Sequence, residues 1–255
     1  DNREPCRGYH PTIMRRDLIL SSGFLAFARH VGFLHAVEEA GIEVEAVCGT
    51  SSGALVAALW AAGRPAARIG EELSASPPIR SMRPSLRPWR GLIRIEPVIA
   101  RLRCLLPATF SGLERPLGLG AMDRSGSHHL LSDGPLPEAV AASCAIPIVF
   151  QPVTLAGRRL WDGGAADRLG LAGWRGWRPG RTALVHWVEG TRGKEPQSEL
   201  DGLEIVRTPP SGASFFNLGE FDVQVEEARA LTASVIGSWR KRPQVSSAAS
   251  PGSCA

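Results

Sequence analysis

Two side chains and one alternative base stand where a hydrolytic reaction could be built. Ser51 lies in the run VCGTSSGALVAALWAAG (47–63), so that Gly49 and Gly53 flank it at two positions' distance. A serine hydroxyl is a weak nucleophile and needs a base within hydrogen-bond reach. Asp162, followed by Gly163 and Gly164, is one candidate. His186 is another, since Ser51, Asp162 and His186 occur in the chain order of an α/β-hydrolase triad. The chemistry would be acyl transfer: attack on an ester carbonyl, an acyl-enzyme, then hydrolysis. With 28 glycines in 255 residues the Gly-x-Ser-x-Gly spacing is weak by itself, and its meaning rests on the elements around it.

Those elements are the ones the geometry requires. The apolar run Leu18 to Leu20, closed by Ser21-Ser22-Gly23, predicts a buried strand ending in a turn. Phe27, Val31, Leu34 and Val37 follow at helical spacing, with Gly41 placed to end the helix. Ile42 to Val47 predicts a second strand, and Ala54 to Ala62 a second helix stopped by Gly63 and Pro65. Ser51 therefore sits on a strand-to-helix corner, where helix N–H groups and the positive dipole end face a developing oxyanion. Farther on, a helix from Leu136 ends before Pro147. The segment PVTLAGRRLWDGG predicts a hairpin turning at Ala156-Gly157, with Asp162 at the end of its second strand. TALVHWVEG (182–190) reads as a strand, and Phe221 to Trp239 as a closing helix. Strands alternating with helices predict an α/β fold with a mostly parallel sheet covered on both faces. Only two strands precede Ser51, fewer than the triad fold places before its nucleophile.

Composition narrows the function classes. The charge balance is +4, and every basic residue except Lys194 and Lys241 is arginine. Beside so much Ala, Gly and Pro this reads partly as coding bias, and the arginines lack the aromatic-interleaved pattern of a nucleic-acid binder. The five cysteines show no metal-ligand spacing and suit a reducing compartment; no cofactor and no metal are expected. His128-His129 reads as a polar loop, and Asp133-Gly134 as a turn. No apolar run reaches the length of a membrane span. Met14-Arg15-Arg16 before LILSSGFLAFA imitates a signal peptide, but Asp17 breaks the charge pattern and strand, turn and helix is the better reading. Residues 1–13 are expected to be a disordered leader, 14–240 the folded domain and 241–255 a disordered tail. Within the domain, the proline- and arginine-rich stretch starting at residue 64 reads as an insertion, lid-like over 64–124. It contains a helix led by Pro97 with Val98, Ile99, Leu102, Leu105 and Leu106 on its apolar side. Residues 80–106, basic and amphipathic with Trp89 nearby, are a surface for peripheral membrane contact or a face packed on the domain.

The pieces LILSSGF…HVGFLHAVEEAGI, VCGTSSGALVAALWAAG, AVAASCAIPIVFQPV and GRRLWDGG, in this order and spacing, resemble the patatin-like phospholipase family over about residues 17–170. The resemblance implies a three-layer α/β/α sandwich and a catalytic dyad, with Ser51 as nucleophile on an elbow flanked by Gly49 and Gly53. It implies Asp162 as base, supported by Gly163 and Gly164. The substrate class it implies is a lipid or other acyl ester; the cysteine usage and the 80–106 segment, not the resemblance, lead to the expectation of a cytoplasmic protein with peripheral membrane contact. His30 falls on a histidine common in the family motif and reads as a packing or capping residue. The family's Ser-Gly-Gly-Gly-x-Arg-Gly loop is here Ser21 to Phe27, with Ser22, Phe24, Ala26 and Phe27 in place of two glycines, the arginine and the last glycine. Backbone donors need no glycine, so Gly23, Phe24 and Ser52 remain the expected oxyanion hole. After Asp162, Arg168 and Gly170 replace an asparagine and a proline. Two alternatives stay open: a catalytically weak lipid-binding or scaffold protein with a drifted oxyanion loop, and an esterase with the Ser51/Asp162/His186 triad.

Overall fold

The computed structural model describes residues 15–75, 82–86, 88–190, 200 and 202–240. The expected leader, the tail and residues 76–81 and 87 of the expected insertion lie outside the described residues.

The chain opens with strand β1 (Arg15–Leu20), helix α1 (Phe27–Glu39), strand β2 (Glu43–Thr50) and helix α2 (Ser52–Ala61). Helices α3 (Ala66–Ser74) and α4 (Glu96–Leu105) follow, then β3 (Leu117–Asp123), β4 (His128–Leu131) and α5 (Leu136–Ser143). The hairpin β5 (Val153–Leu155) and β6 (Arg158–Asp162) leads to α6 (Leu171–Trp177), β7 (Ala183–Val188), β8 (Glu204–Thr208) and α7 (Phe221–Arg240). Among the described residues the sheet has eight strands in the order β5-β6-β3-β2-β1-β7-β8, with β4 also on β3. Its β3-β2-β1-β7-β8 portion is parallel, and the β4, β5 and β6 pairings are antiparallel.

Period-2 alternation builds the layers. Leu18 and Leu20 of β1, Val47 of β2 and Leu184 of β7 enter the larger core with α1, α2 and α5. Ile19, Cys48, Val185 and Trp187 point the other way and pack against Leu171 and Trp174 of α6. Strands buried on both faces read as near-continuous apolar runs, which is why β1 and β7 were legible. The result is the expected three-layer α/β/α arrangement. The hairpin turns where expected: Ala156 (φ 47°) and Gly157 (φ 76°) both adopt the left-handed region that a two-residue turn of this hand requires.

The expected insertion at 64–124 is only partly one. β3 runs inside the sheet between β2 and β6, and α3 buries Ala66 and Ile69 in the main core. Prolines and arginines hid both elements because the apolar positions of α3 are few and β3 carries two glycines. α4 has Pro97 in its first turn as expected, and its Leu102 reaches the main core.

Candidate active site

Ser51 occupies the corner between β2 and α2 with φ 57° and ψ −120°, a conformation an L-residue holds only under constraint from its surroundings. The flanking glycines supply that constraint. A Cβ on Gly49 would lie 2.5 Å from the Gly53 carbonyl oxygen, and one on Gly53 would lie 2.5 Å from the Leu20 carbonyl oxygen. Both are therefore close-approach glycines that let α2 start against the ends of β1 and β2. Ser143, at the end of α5, completes the corner. Its hydroxyl accepts from the Ser51 N–H at 3.0 Å and donates to the Gly120 carbonyl at 2.6 Å. The Cys144 thiol donates to the Ser51 carbonyl at 3.2 Å.

Sheet register brings Asp162 to the same place. Thr50 pairs with Gly120 across β2 and β3, and Ala121 pairs with Asp162 across β3 and β6. The Asp162 carboxylate accepts a hydrogen bond at 2.8 Å from the Gly164 N–H, and the Ser51 side chain stands near enough to favour its ionised form. Burial raises its pKa to about 6, with the Ser51 side chain and the Gly164 N–H pulling the other way. The two glycines after it are again sites of close approach: a Cβ on Gly163 would lie 2.6 Å from the Gly120 carbonyl carbon, and one on Gly164 2.6 Å from Ser22 Cβ.

The loop after β1 is held from three sides. The Ser21 N–H donates to the His186 carbonyl at 3.0 Å, and the Ser22 N–H to the Arg168 carbonyl at 2.7 Å. The Ser52 hydroxyl donates to the Gly23 carbonyl at 2.7 Å. Among the described residues none accepts a hydrogen bond from the backbone N–H of Gly23, Phe24 or Ser52. These are open donors of the kind an oxyanion needs. Phe24 and Ser52 line the same cavity as Ser51. Arg168 is buried, and its guanidinium reaches the Val188 carbonyl beside this loop.

That cavity, about 160 Å³, is walled by Leu55 of α2, by Val98, Leu102 and Leu105 of α4, and by Val140 of α5. The apolar side of the helix led by Pro97 thus faces the site, with Arg101 at its lining. An apolar chamber ending at a polar serine is suited to holding a hydrocarbon chain with a carbonyl at its root.

The histidines have other employment. His186 has Nδ1 2.8 Å from His30 Nδ1 and Nε2 3.0 Å from Thr208 Oγ1, and stacks on Phe33. Both ring nitrogens are engaged there, so the Ser51/Asp162/His186 triad is corrected: the strand that carries His186 turns the ring toward α1 and away from Ser51. His129 Nε2 lies 2.8 Å from Asp123 Oδ2, and among the described residues no group of three His, Cys, Asp or Glu side chains could hold a metal. Gly134 takes φ +82° in the turn before α5. Sequence reasoning missed Ser143, Cys144, Thr208 and the pairing of His30 with His186. For Ser143 the only signal was its place in AVAASCAIP.

A strained serine corner over an apolar cavity, on a mixed, mostly parallel sheet between helices, defines an α/β protein of the hydrolase type. The family model for Patatin-like phospholipase matches residues 18–172, and the chain belongs to that family. An uncharacterized NTE family protein of Mycobacterium tuberculosis is 33% identical over 159 residues, 61% of this chain and 44% of that one. The chain thus spans less than half the length of this curated relative. The neuropathy target esterase sws of Drosophila melanogaster is 49% identical over 47 residues, 18% of this chain and 3% of that protein. In fold, the chain is similar to VipD from Legionella pneumophila (TM-score 0.52, 13% identity, covering 88% of this chain and 67% of VipD). It is also similar to full-length ExoU in complex with SpcU, from the type III secretion system of Pseudomonas aeruginosa (TM-score 0.54, 14% identity, 89% and 53%).

Proposed function

We propose that this protein is a serine acyl hydrolase of lipid esters, of the phospholipase A or lysophospholipase type, working through a Ser51-Asp162 dyad. The observation that carries the reading is the strained Ser51 at the lining of an apolar cavity, with its side chain beside the buried Asp162 carboxylate. An ordinary carboxylate is too weak a base for a serine hydroxyl. Raised to about 6, Asp162 is more basic and still ionised at neutral pH, the condition a general base needs. Proton transfer to Asp162 accompanies attack of Ser51 Oγ on the ester carbonyl, and the oxyanion is met by the open N–H groups of Phe24 and Ser52. Collapse expels the alcohol, which takes the proton back from Asp162. Asp162 then deprotonates the water that releases the acyl group. Gly163 and Gly164 let the carboxylate approach, and Gly49 and Gly53 let the serine turn.

The acyl chain lies along α4 and α5. Leu86, Trp89 and Leu92 in the 80–106 segment are exposed, as is Ile148, whose carbonyl accepts from the Leu92 N–H at 3.1 Å. This apolar group, with basic residues on neighbouring turns, supports a peripheral membrane contact through 80–106. Beyond it, Arg124 and Arg159 line a second cleft with Trp89 and Trp161, where Arg94 pairs with Glu96 at 3.4 Å; the net basic lining supports a phosphate-bearing headgroup over a neutral ester. Among the described residues no helix is long and apolar enough to cross a membrane. A cytoplasmic protein acting at a membrane surface fits these features.

A fluorophosphonate probe tests the reading: it should label Ser51, and labelling and ester hydrolysis should vanish in Ser51→Ala. The replaced residues of the oxyanion loop favour a second reading, a lipid-binding protein of little or no activity, for which the probe should leave the folded wild-type chain untouched.

A further inference from the structure

Behind the oxyanion loop runs a buried chain of polar side chains that the dyad does not use. It links Thr208 of β8, His186 of β7, His30 of α1 and Ser52 of α2 to the Gly23 carbonyl. Every member is buried.

The direction of each hydrogen bond follows from proton counting. The Gly23 carbonyl can only accept, so the single Ser52 hydroxyl proton points to it, at 2.7 Å. Ser52 Oγ must then accept from His30 Nε2, 3.3 Å away, and that nitrogen carries a hydrogen. Full burial pushes the His30 pKa down to about 3, leaving the ring neutral with a bare Nδ1. His186 Nδ1, 2.8 Å from His30 Nδ1, must therefore be the donor. His186 is also held neutral, by burial first and then by its neighbours His30 and Arg29. Its Nε2 accepts from the Thr208 hydroxyl at 3.0 Å. All four bonds run one way, from Thr208 to Gly23, and a charged ring at either histidine would break the chain.

What the chain fixes is a peptide plane. The Gly23 carbonyl and the Phe24 N–H are opposite ends of one trans peptide, so anchoring the first aims the second in the reverse direction. The Gly23 carbonyl is anchored at the buried Ser52 Oγ at 2.7 Å and more weakly at the Ala26 N–H at 3.4 Å, while Phe24 lines the cavity with Ser51. We infer that His30, His186 and Thr208, acting through the Ser52 hydroxyl, are positioning residues that hold the Gly23-Phe24 peptide with its N–H turned to the oxyanion. This rests on the hydrolase reading above and adds a task for groups that otherwise look like core histidines. In a loop where serine and phenylalanine stand for glycines, the peptide orientation is set from behind by tertiary hydrogen bonds.

The test uses the full chain with 15N-labelled imidazoles, assigned by single histidine substitutions, together with kinetics on a soluble short-chain ester. Long-range 1H–15N correlation should show His30 as the Nε2–H tautomer and His186 as the Nδ1–H tautomer, both neutral from about pH 5 to 8. Ser52→Ala removes the anchoring hydroxyl but keeps the backbone N–H. Measured on folded protein, it should lower kcat on the order of tenfold to a hundredfold with KM nearly unchanged. Ser52→Thr should restore most of kcat, and Thr208→Val should lower it to a smaller extent. Opposite tautomers, a charged ring at neutral pH, or a Ser52→Ala protein with wild-type kcat would overturn the inference while leaving the hydrolase reading in place. A wild-type protein that hydrolyses no ester would instead remove that reading, and the positioning role with it.

Discussion

The Ser51 side chain lies beside the carboxylate of Asp162, a group whose pKa burial raises to about 6. Proposed as nucleophile and base, the two fix a pH profile. Activity needs the ionised carboxylate, so kcat/KM should rise with pH along an acid limb centred near the Asp162 value. Asp162→Asn should lower kcat about a thousandfold or more, while His186→Phe should leave that acid limb where it is. An acid limb that persists in a still-active Asp162→Asn protein would assign the titration elsewhere.

The same shift has a stability consequence. Because the folded pKa lies above the ordinary 3.8, the folded state binds more protons than the unfolded one between those values. Stability therefore falls as pH rises through that window, by on the order of 3 kcal/mol once Asp162 is fully ionised. Asp162→Asn removes the buried charge and keeps an oxygen for the Gly164 N–H. Thermal melts should show it more stable than the wild type near about pH 8 and little different near about pH 4.

Gly53 and Gly176 separate close approach from mere flexibility. A Cβ on Gly53 would meet the Leu20 and Ser21 carbonyl oxygens at 2.5 and 2.6 Å, whereas one on Gly176 of α6 meets nothing within 4 Å. Gly53→Ala should destabilise by more than about 3 kcal/mol or prevent folding. Gly176→Ala should be neutral or stabilising by up to about 1 kcal/mol. Urea denaturation of the pair checks both.

Ser143 holds the elbow from α5. Ser143→Ala leaves the Ser51 N–H and the Gly120 carbonyl without their shared partner, costing on the order of 1–3 kcal/mol. Since the Ser51 backbone is then free to relax, probe labelling of Ser51 should slow by more than the loss of folded protein accounts for. Equal losses would make Ser143 a stability residue alone.

Leu86 and Trp89, 91% and 78% exposed, are the proposed contact with a lipid surface. Leu86→Ser with Trp89→Ala should weaken sedimentation with anionic vesicles and lower hydrolysis of vesicle phospholipid by about tenfold. Hydrolysis of a soluble short-chain ester should be unchanged. A parallel loss on both substrates would place these residues in the domain's packing instead.

The sequence by itself determined what is local. Glycine spacing around Ser51 and the apolar run before it specify a strand-to-helix corner, because only glycines admit the carbonyl contacts found at Gly49 and Gly53. Ala156-Gly157 specifies the turn that puts Asp162 at a strand end. Helical spacing likewise gave α1, α4 and α7. Tertiary structure alone decided what faces what. β3, concealed in a stretch that read as an insertion, is the strand whose register carries Asp162 to Ser51, and a slip of one residue would have turned the carboxylate to the opposite face. His186, legible as a base, became a neutral link because β7 directs it to α1, and Ser143 acquired its place from a helix far along the chain. Such contacts join segments distant in sequence, and their geometry is set by strand order and register, which the residue pattern of each segment does not encode.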